Sequence, residues 1–525
     1  MTTESQTVEY MVPSLVLAGP APSWVDESPR PKSIAASLLT KHWLLLFILV
    51  VQAGLTLRLS NTAFNDEANY LNVGHLEIAH LLHGTVIPNF ADSLSGAPFL
   101  YPILAAVIDS VGGLELVRGL SLASMLATTM LVFGFSRRIF GWAFGVLGAA
   151  TFAMAASVIF LGHLATYDAP TVFMLALATW LIVVGAQMPG TRGWVLALGA
   201  GLAAGLASMT KYAGLLYLPT ILATGVLVAM RPGRRLRAIV RISVPFLLGA
   251  GGLLILITSS APELLVGLRV TTTERQLASA PWSAIVGNSA LYVGGMLLLA
   301  LAGAVMLVRR HVRVEQQLLG LVLAATGFLA PLAQLHFHTT VSLQKNAGYG
   351  LVFAAPMVGV ALAESMKHWR RKMLLPLVAI LLTLISLGAN TSETLFVQWP
   401  NTTNLVQLLQ GEVQRGQSRY LVEEAAVPEY YLATRTNRSQ WVSTYTYSFH
   451  FPGPHGGRLF GPAAFEAGIA HGYFEVIALR NGSTRLLDFA LEHAIGANPR
   501  YQLIARLPFS TSFGPGVWRV WVRRR

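Results

Sequence analysis

"HWLLLFILVVQAGLTLRLSNTAFNDEANYL", residues 42–71, decides how this chain is read. Residues 42–59 form a predominantly apolar run, and ~17–25 such residues cross the hydrocarbon core of a bilayer as a helix. Two adjacent carboxylates, Asp66 and Glu67, stand just past its exit. An ionisable group costs about 2.5–3.5 kcal/mol at the centre of a spanning helix and less near the interface. Acids at this position are therefore tolerated but not free.

The rest of the chain repeats the pattern. Of its 525 residues 54% are hydrophobic and 12% charged, whereas a soluble domain carries about 25% charged residues. Further apolar runs cover 116–136, 142–161, 169–187, 194–210, 212–230, 242–260, 284–308, 316–335, 348–366 and 373–390. The expectation is an all-α polytopic membrane domain of about eleven transmembrane helices. Arg137 and Arg138, Arg192, the run from Arg231 to Arg241, Arg309 to Arg313, and Lys367 to Lys372 fall on alternate loops. Those loops share the cytoplasmic side. Lys41 puts the N-terminus there too. The formal net charge of +13 then reflects anchoring at the membrane and not a nucleic-acid partner. Residues 1–41, polar and proline-containing, read as a disordered cytoplasmic tail. The absence of cysteine excludes disulfides and thiolate chemistry.

The stretch "PFLYPILAAVIDSVGG" (98–113) breaks the alternation if it spans. It contains Pro98, Pro102 and Asp109 and ends in Gly112-Gly113, so it reads as a helix in the outer interface. Residues 60–115 become one long external loop with two interfacial helices, the first over roughly 66–83. There Asn69, Asn72, His80 and His83 share an arc opposite Leu71, Ile78 and Leu82. This topology places Asp66, Glu67, Glu77, Asp92, Asp109, Glu115, Asp168, Glu263 and Glu274 outside. Within the membrane region only Glu315 and Glu364 fall inside. Positive-inside does not require that sorting, so the outer face has gathered acids for another reason.

After about residue 390 the spans stop. Residues 391–525 read as a small extracytoplasmic α/β or α+β C-terminal domain, against 42–390 for the membrane domain. "RYLVEE" (419–424) and "YFEVIAL" (473–479) suit buried strands, "RLLDFALEHAIGANP" (485–499) a helix, and "VWRVWVRRR" (517–525) a terminal strand.

Several residue types converge on the outer face. Asn65 or Asp66 would suit a helix N-cap, the plain alternative to chemistry. Asp168 in "HLATYDAP" (163–170), with His163 and Tyr167 beside it, lies at the outer end of a span. Two carboxylates at one face can divide roles as base and orienting group. Lys211 in "SMTKYAGLLYLP" (208–219), with Tyr212 beside it, Lys345 in "HFHTTVSLQKNAGYG" (336–350), and Arg269 and Arg275 put four cations on the outer side. Each alone fits snorkelling to headgroups; together they suit a phosphate or pyrophosphate. His336 and His338 lack a defined third ligand, which Glu67 could supply. No P-loop and no Gly-x-Ser-x-Gly elbow occur. The glycines of "ALGAGLAAGLAS" (197–208) indicate close helix packing.

"FNDEANYL" (64–71), "SGAPFLYPIL" (95–104), "SRRIFG" (136–141), "ATYDAP" (165–170), "TKYAGLLYLP" (210–219) and "SLQKNAGYGLVFAAP" (342–356) come in that order. In this order and placement the chain resembles the C-type membrane glycosyltransferases, in particular the bacterial branch similar to protein O-mannosyltransferases and the lipid A aminoarabinose transferase. The loop holding Lys345 departs from the Lys-Leu-Pro pattern of the aminoarabinose branch. The resemblance implies a hexosyl or pentosyl transferase of the bacterial inner membrane, with a polyprenyl-phosphate sugar as donor. The acceptor would be a glycan, protein or lipid hydroxyl outside the cytoplasm, attacked with inversion. It implies Asp66 as general base, with Glu67 and Asp168 as its acidic companions. Lys211, Tyr212, Lys345 and Arg275 are the candidates for the donor phosphate, and His163, Tyr167, His336 and His338 for the acceptor or its orientation. The resemblance fixes no cofactor, and a divalent metal stays open. The rival is a transporter or flippase, which would favour inverted repeats and acids near mid-membrane.

Overall fold

The computed structural model describes residues 34–230, 235–275, 277–310, 312–369, 374–445, 449–453 and 456–524. Most of the expected tail, 1–33, lies outside the described residues, as do Arg231, Arg234 and Arg370 to Lys372 of the cytoplasmic loops. The chain divides into two compact units, Met1–Leu44 and Leu45–Arg525. Every contact described below lies within the second.

Helix α1 (Ile34–Thr56) begins inside the region expected to be a tail. It is followed by α2 (Asn65–His83), α3 (Tyr101–Phe140), α4 (Trp142–Ala153), α5 (Ala156–Leu161) and α6 (Asp168–Gln187). Next come α7 (Gly190–Thr210), α8 (Leu218–Ala229), α9 (Arg235–Ser260) and the short α10 (Glu263–Thr271). Helix α11 (Trp282–Ser289) continues through a π-helical turn into α12 (Gly295–Arg309). Helices α13 (Val314–Thr326) and α14 (Leu329–His336) meet at a 44° bend, before α15 (Leu343–Trp369) and α16 (Leu374–Phe396). Among the described residues eight helices are long and apolar enough to cross a membrane, and the bent pair makes a ninth. His42–Thr56 and Trp142–Ala153 are shorter apolar helices. Each apolar run read from the sequence overlaps one of these segments.

Small residues set the helix spacing. A Cβ on Gly201 of α7 would come within 2.1 Å of the Phe246 carbonyl oxygen of α9, and one on Gly249 within 2.4 Å of the Leu198 carbonyl oxygen. The glycine-rich stretch thus works through backbone approach. Buried Val172, Leu175, Ile182, Phe246, Val352 and Phe353 belong to the main membrane core.

The stretch expected to be an external loop, 60–115, holds two helical segments, α2 and the first leg of α3. Gly112 (φ −142°) and Gly113 (φ +67°) interrupt α3, leaving an outer leg at 101–111 ahead of the spanning leg. The left-handed φ at Gly113 is one that a side chain would resist. Helix α2 differs from its expected wheel. Its burial is graded along its length: Leu71, Val73 and Gly74 are buried while Leu81 and Leu82 are exposed. The physical reason is that α2 is crossed by neighbours near its N-terminal half only. A Cβ on Gly74 would lie 1.9 Å from the Pro102 carbonyl oxygen, and Asn72 Nδ2 donates to the Ala426 carbonyl oxygen at 3.0 Å. The N-cap also differs: it is Phe64, not Asn65 or Asp66.

Helix α16 runs to Phe396, beyond the boundary near 390. The C-terminal region then forms α17 (Thr403–Glu412), β1 (Arg419–Val422), α18 (Ala426–Tyr431), β2 (Trp441–Ser443), β3 (His450–Pro452) and β4 (Arg458–Phe460). It ends with α19 (Gly461–Ala470), β5 (Phe474–Leu479), α20 (Arg485–Ala497), β6 (Tyr501–Thr511) and β7 (Gly514–Arg523). The main sheet has the order β2-β1-β5-β7-β6. Strands β2, β1 and β5 are parallel, and β7 pairs antiparallel with β5 and β6. The α+β reading therefore holds for this part of the chain. Helix α18 docks it onto the outer loop, where Tyr431 Oη accepts the Ala63 N–H at 2.9 Å.

Candidate active site

The start of α2, the first turn of α6, the residue just past α7 and the start of α15 bring four charged side chains together. Lys345 Nζ donates to Asp66 Oδ2 at 2.5 Å and lies 3.9 Å from Asp168 Oδ2. Lys211 Nζ donates to Asp168 Oδ1 and, at 2.9 Å, to Asn346 Oδ1. Asp168 also accepts from Tyr349 Oη at 3.0 Å and from Thr166 Oγ1 at 2.9 Å. Two carboxylates and two ammonium groups thus compensate one another where separate burial would be costly.

The two acids differ in access. The Asp168 side chain is 0% exposed and that of Asp66 is 34% exposed. Asp168 spends both oxygens on protein donors. Asp66 keeps an oxygen open toward a cavity of about 2190 Å³ whose walls include Asp66, Tyr70, Tyr167, Lys211, Lys345 and Tyr349. Tyr70 and Tyr167 stack at 4.4 Å, and Lys211 Nζ sits 5.4 Å from the Tyr167 ring centre. Burial, then the Asp168 charge, pushes the Tyr167 hydroxyl up to about 12. It therefore stays a protonated donor at neutral pH.

Glu67 is not part of this cluster, which corrects its expected catalytic place. Arg118 grips it with Nε at 2.9 Å and Nη2 at 2.8 Å, in a fully buried two-pronged pair. Glu67 also accepts the N–H of Ala165 at 2.7 Å and of Phe64 at 2.8 Å. It ties the α2 start to α3 and to the loop before α6. Adjacent residues of a helix point about 100° apart, so Asp66 facing the cavity obliges Glu67 to face the protein.

The remaining candidates separate. Tyr212 lines the cavity, and its N–H donates to the Ser95 carbonyl oxygen at 2.8 Å. Arg275 and His336 line it further out, with the Arg275 guanidinium 5.4 Å from the Phe337 ring centre. His163 does not line the cavity: it is buried 3.8 Å from Glu115, beside the Arg118 staple. His338 is exposed, with a left-handed φ of 47°, and is not in the cavity wall. Among the described residues no three His, Asp or Glu side chains are placed to hold a metal ion, so Glu67 does not complete a site with His336 and His338. Arg118, Asn346 and Tyr349 were not among the residues singled out. Asn346 and Tyr349 had a usable signal, since they follow Lys345 at one and four residues and the latter shares its helix face.

A family model described as dolichyl-phosphate-mannose-protein mannosyltransferase matches residues 96–261, less than half of the chain. No curated protein matches the chain. Among solved structures, ArnT from Cupriavidus metallidurans bound to undecaprenyl phosphate is similar with a TM-score of 0.60 at 14% identity, over 92% of this chain and 98% of that one. The archaeal oligosaccharyltransferase AglB from Archaeoglobus fulgidus, in complex with an inhibitory peptide and a dolichol-phosphate, gives a TM-score of 0.55 at 10% identity, over 91% of this chain and 74% of that one. The fold is thus that of the polytopic C-type membrane glycosyltransferases, and the chain resembles the O-mannosyltransferases and ArnT.

Proposed function

We propose that this protein transfers a sugar from a polyprenyl-phosphate donor to a hydroxyl group on the extracytoplasmic side of a membrane. The observation that carries the reading is the half-exposed Asp66 carboxylate, set beside Lys345 and Lys211 in the wall of a large cavity. The likeness to ArnT, solved with undecaprenyl phosphate, and to AglB, solved with a dolichol-phosphate, supports a lipid-phosphate donor.

In this mechanism Asp66 accepts the proton of the acceptor hydroxyl as its oxygen attacks the anomeric carbon. A new C–O bond forms to the acceptor while the bond from the anomeric carbon to the phosphate oxygen breaks. The electron pair leaves with the polyprenyl phosphate. Lys345 and Lys211 have N–H groups left for that phosphate and stabilise its charge. Attack from the side opposite the phosphate inverts the anomeric centre. Asp168 touches no substrate here; it positions both lysines. Tyr212 and Arg275 extend the phosphate-facing wall, with Tyr167 and His336 on the acceptor side. The donor end lies at the outer face, with the C-terminal domain on the same side and the N-terminus opposite it.

The test is sugar transfer and polyprenyl-phosphate release by the purified protein and by Asp66→Asn. The wild type turns over, and the variant loses about 10²–10⁴-fold, the usual contribution of a general base. Undiminished turnover by Asp66→Asn would dismiss the assignment.

A further inference from the structure

The cavity holds a second polar station that the transfer step does not use. His75 on α2, Asp109 on the outer leg of α3 and Tyr430 on α18 all line it. His75 Nε2 lies 2.7 Å from Asp109 Oδ2, and Tyr430 Oη donates to Asp109 Oδ1 at 2.6 Å. A carboxylate only accepts, so Nε2 carries a hydrogen toward Asp109 and Nδ1 is left for another partner. The His75 side chain is 42% exposed, while that of Asp109 is 9% exposed. A buried carboxylate therefore orients an accessible imidazole whose Nδ1 has no protein partner among the described residues.

Nine helical residues separate His75 from Asp66, about 14 Å along the α2 axis. That is too far for both to act at one anomeric carbon. Asn69 and Asn72 line the cavity between them, and Asn65 lines it just ahead of Asp66. Among the described residues the side chains of Asn65 and Asn69 make no protein hydrogen bond. The facing wall, from the C-terminal region, carries Glu429, Asn437, Arg438 and Ser443, with Arg438 3.5 Å from Glu429. Side-chain amides, an oriented imidazole and a paired carboxylate suit dense hydroxyl groups.

We propose that the acceptor is an oligosaccharide whose non-reacting rings lie along α2, from Asp66 to the His75–Asp109–Tyr430 station. This rests on the transferase reading above and names the acceptor class of that site. An extended peptide would seek a free strand edge, and the edge strand facing this cavity, β2, has three residues. An apolar lipid acceptor would leave the amides unpaired.

The test is saturation-transfer NMR on the full-length protein in nanodiscs. The probes are manno-, gluco- and galacto-configured trisaccharides and a serine-containing pentapeptide. Wild type binds at least one trisaccharide, and affinity falls about tenfold in His75→Ala and in Asn69→Ala, the effect of one lost hydrogen bond. Asn69→Ala removes a side chain with no protein partner, so its effect is not one of misfolding. Binding of none of the trisaccharides, affinity undiminished from wild type in both variants, or binding of the peptide in their place overturns the proposal. Donor turnover and its loss in Asp66→Asn are measured separately, so failure of saccharide binding and failure of the transferase reading are told apart.

Discussion

Asp66 and Glu67 are chemically near-identical neighbours with opposite fates. Asp66 is half-exposed and paired with one lysine, so its replacement should silence transfer while leaving thermal stability close to wild type. Glu67 is fully buried against Arg118. Glu67→Ala leaves the buried Arg118 guanidinium with Glu115, a largely exposed side chain, as its remaining acidic partner, and breaking a buried pair costs about 3–5 kcal/mol. Thermal unfolding in detergent should therefore show a large drop for Glu67→Ala and little change for Asp66→Asn. Comparable drops in both would contradict the division of labour. Asp168→Asn should do some of each: it weakens its hold on Lys211 and Lys345 and so lowers donor affinity, read by titration with polyprenyl phosphate.

At the scale of elements, backbone approach sets where helices cross. Gly201→Ala pushes a methyl group to within 2.1 Å of the Phe246 carbonyl oxygen, and overpacking of this kind costs about 1–3 kcal/mol. Gly251 on α9 has nothing within 4 Å of its Cβ position. Gly251→Ala should be neutral or stabilising by about 0.5–1 kcal/mol, from helix propensity. A matched pair of melting curves distinguishes them, and equal shifts would argue against close α7–α9 contact. The interfacial helices were legible because Gly112-Gly113 and the surrounding prolines punctuate the sequence. The face that α2 buries was not: an amphipathic wheel assumes one apolar neighbour, and α2 is crossed by α3 and α18 together.

Across the whole molecule, the C-terminal region holds carboxyl groups that burial has altered, and one of them, Glu429, lines the cavity. Burial raises Glu429 to about 7 despite Arg438 beside it. Burial and then the Glu423 charge push Asp488 up from its ordinary value. In the unfolded chain both release their protons nearer pH 4, at about 4.3 for Glu and 3.9 for Asp. The folded state therefore binds more protons between there and neutrality, and stability falls as pH rises across that window. The stability these groups contribute should be greatest near pH 4 and lost toward neutrality, and Glu429→Gln should flatten the slope between pH 5 and 7. A slope that Glu429→Gln leaves unchanged would show that Glu429 is not raised by burial.

By itself the sequence determined that this chain crosses a membrane many times and where its apolar runs lie. Those follow from local quantities: the length of an apolar run, the sign of a loop, a glycine pair. Only the tertiary structure decided that Asp66 opens to the cavity while Glu67 is sealed by Arg118, and that Asp168 is spent holding Lys211. It also decided that His163 and His338 stand outside the cavity wall. The reason is physical: exposure and charge pairing depend on partners that lie 43 to 279 positions away along the chain, and no local pattern encodes which of two adjacent side chains will meet them.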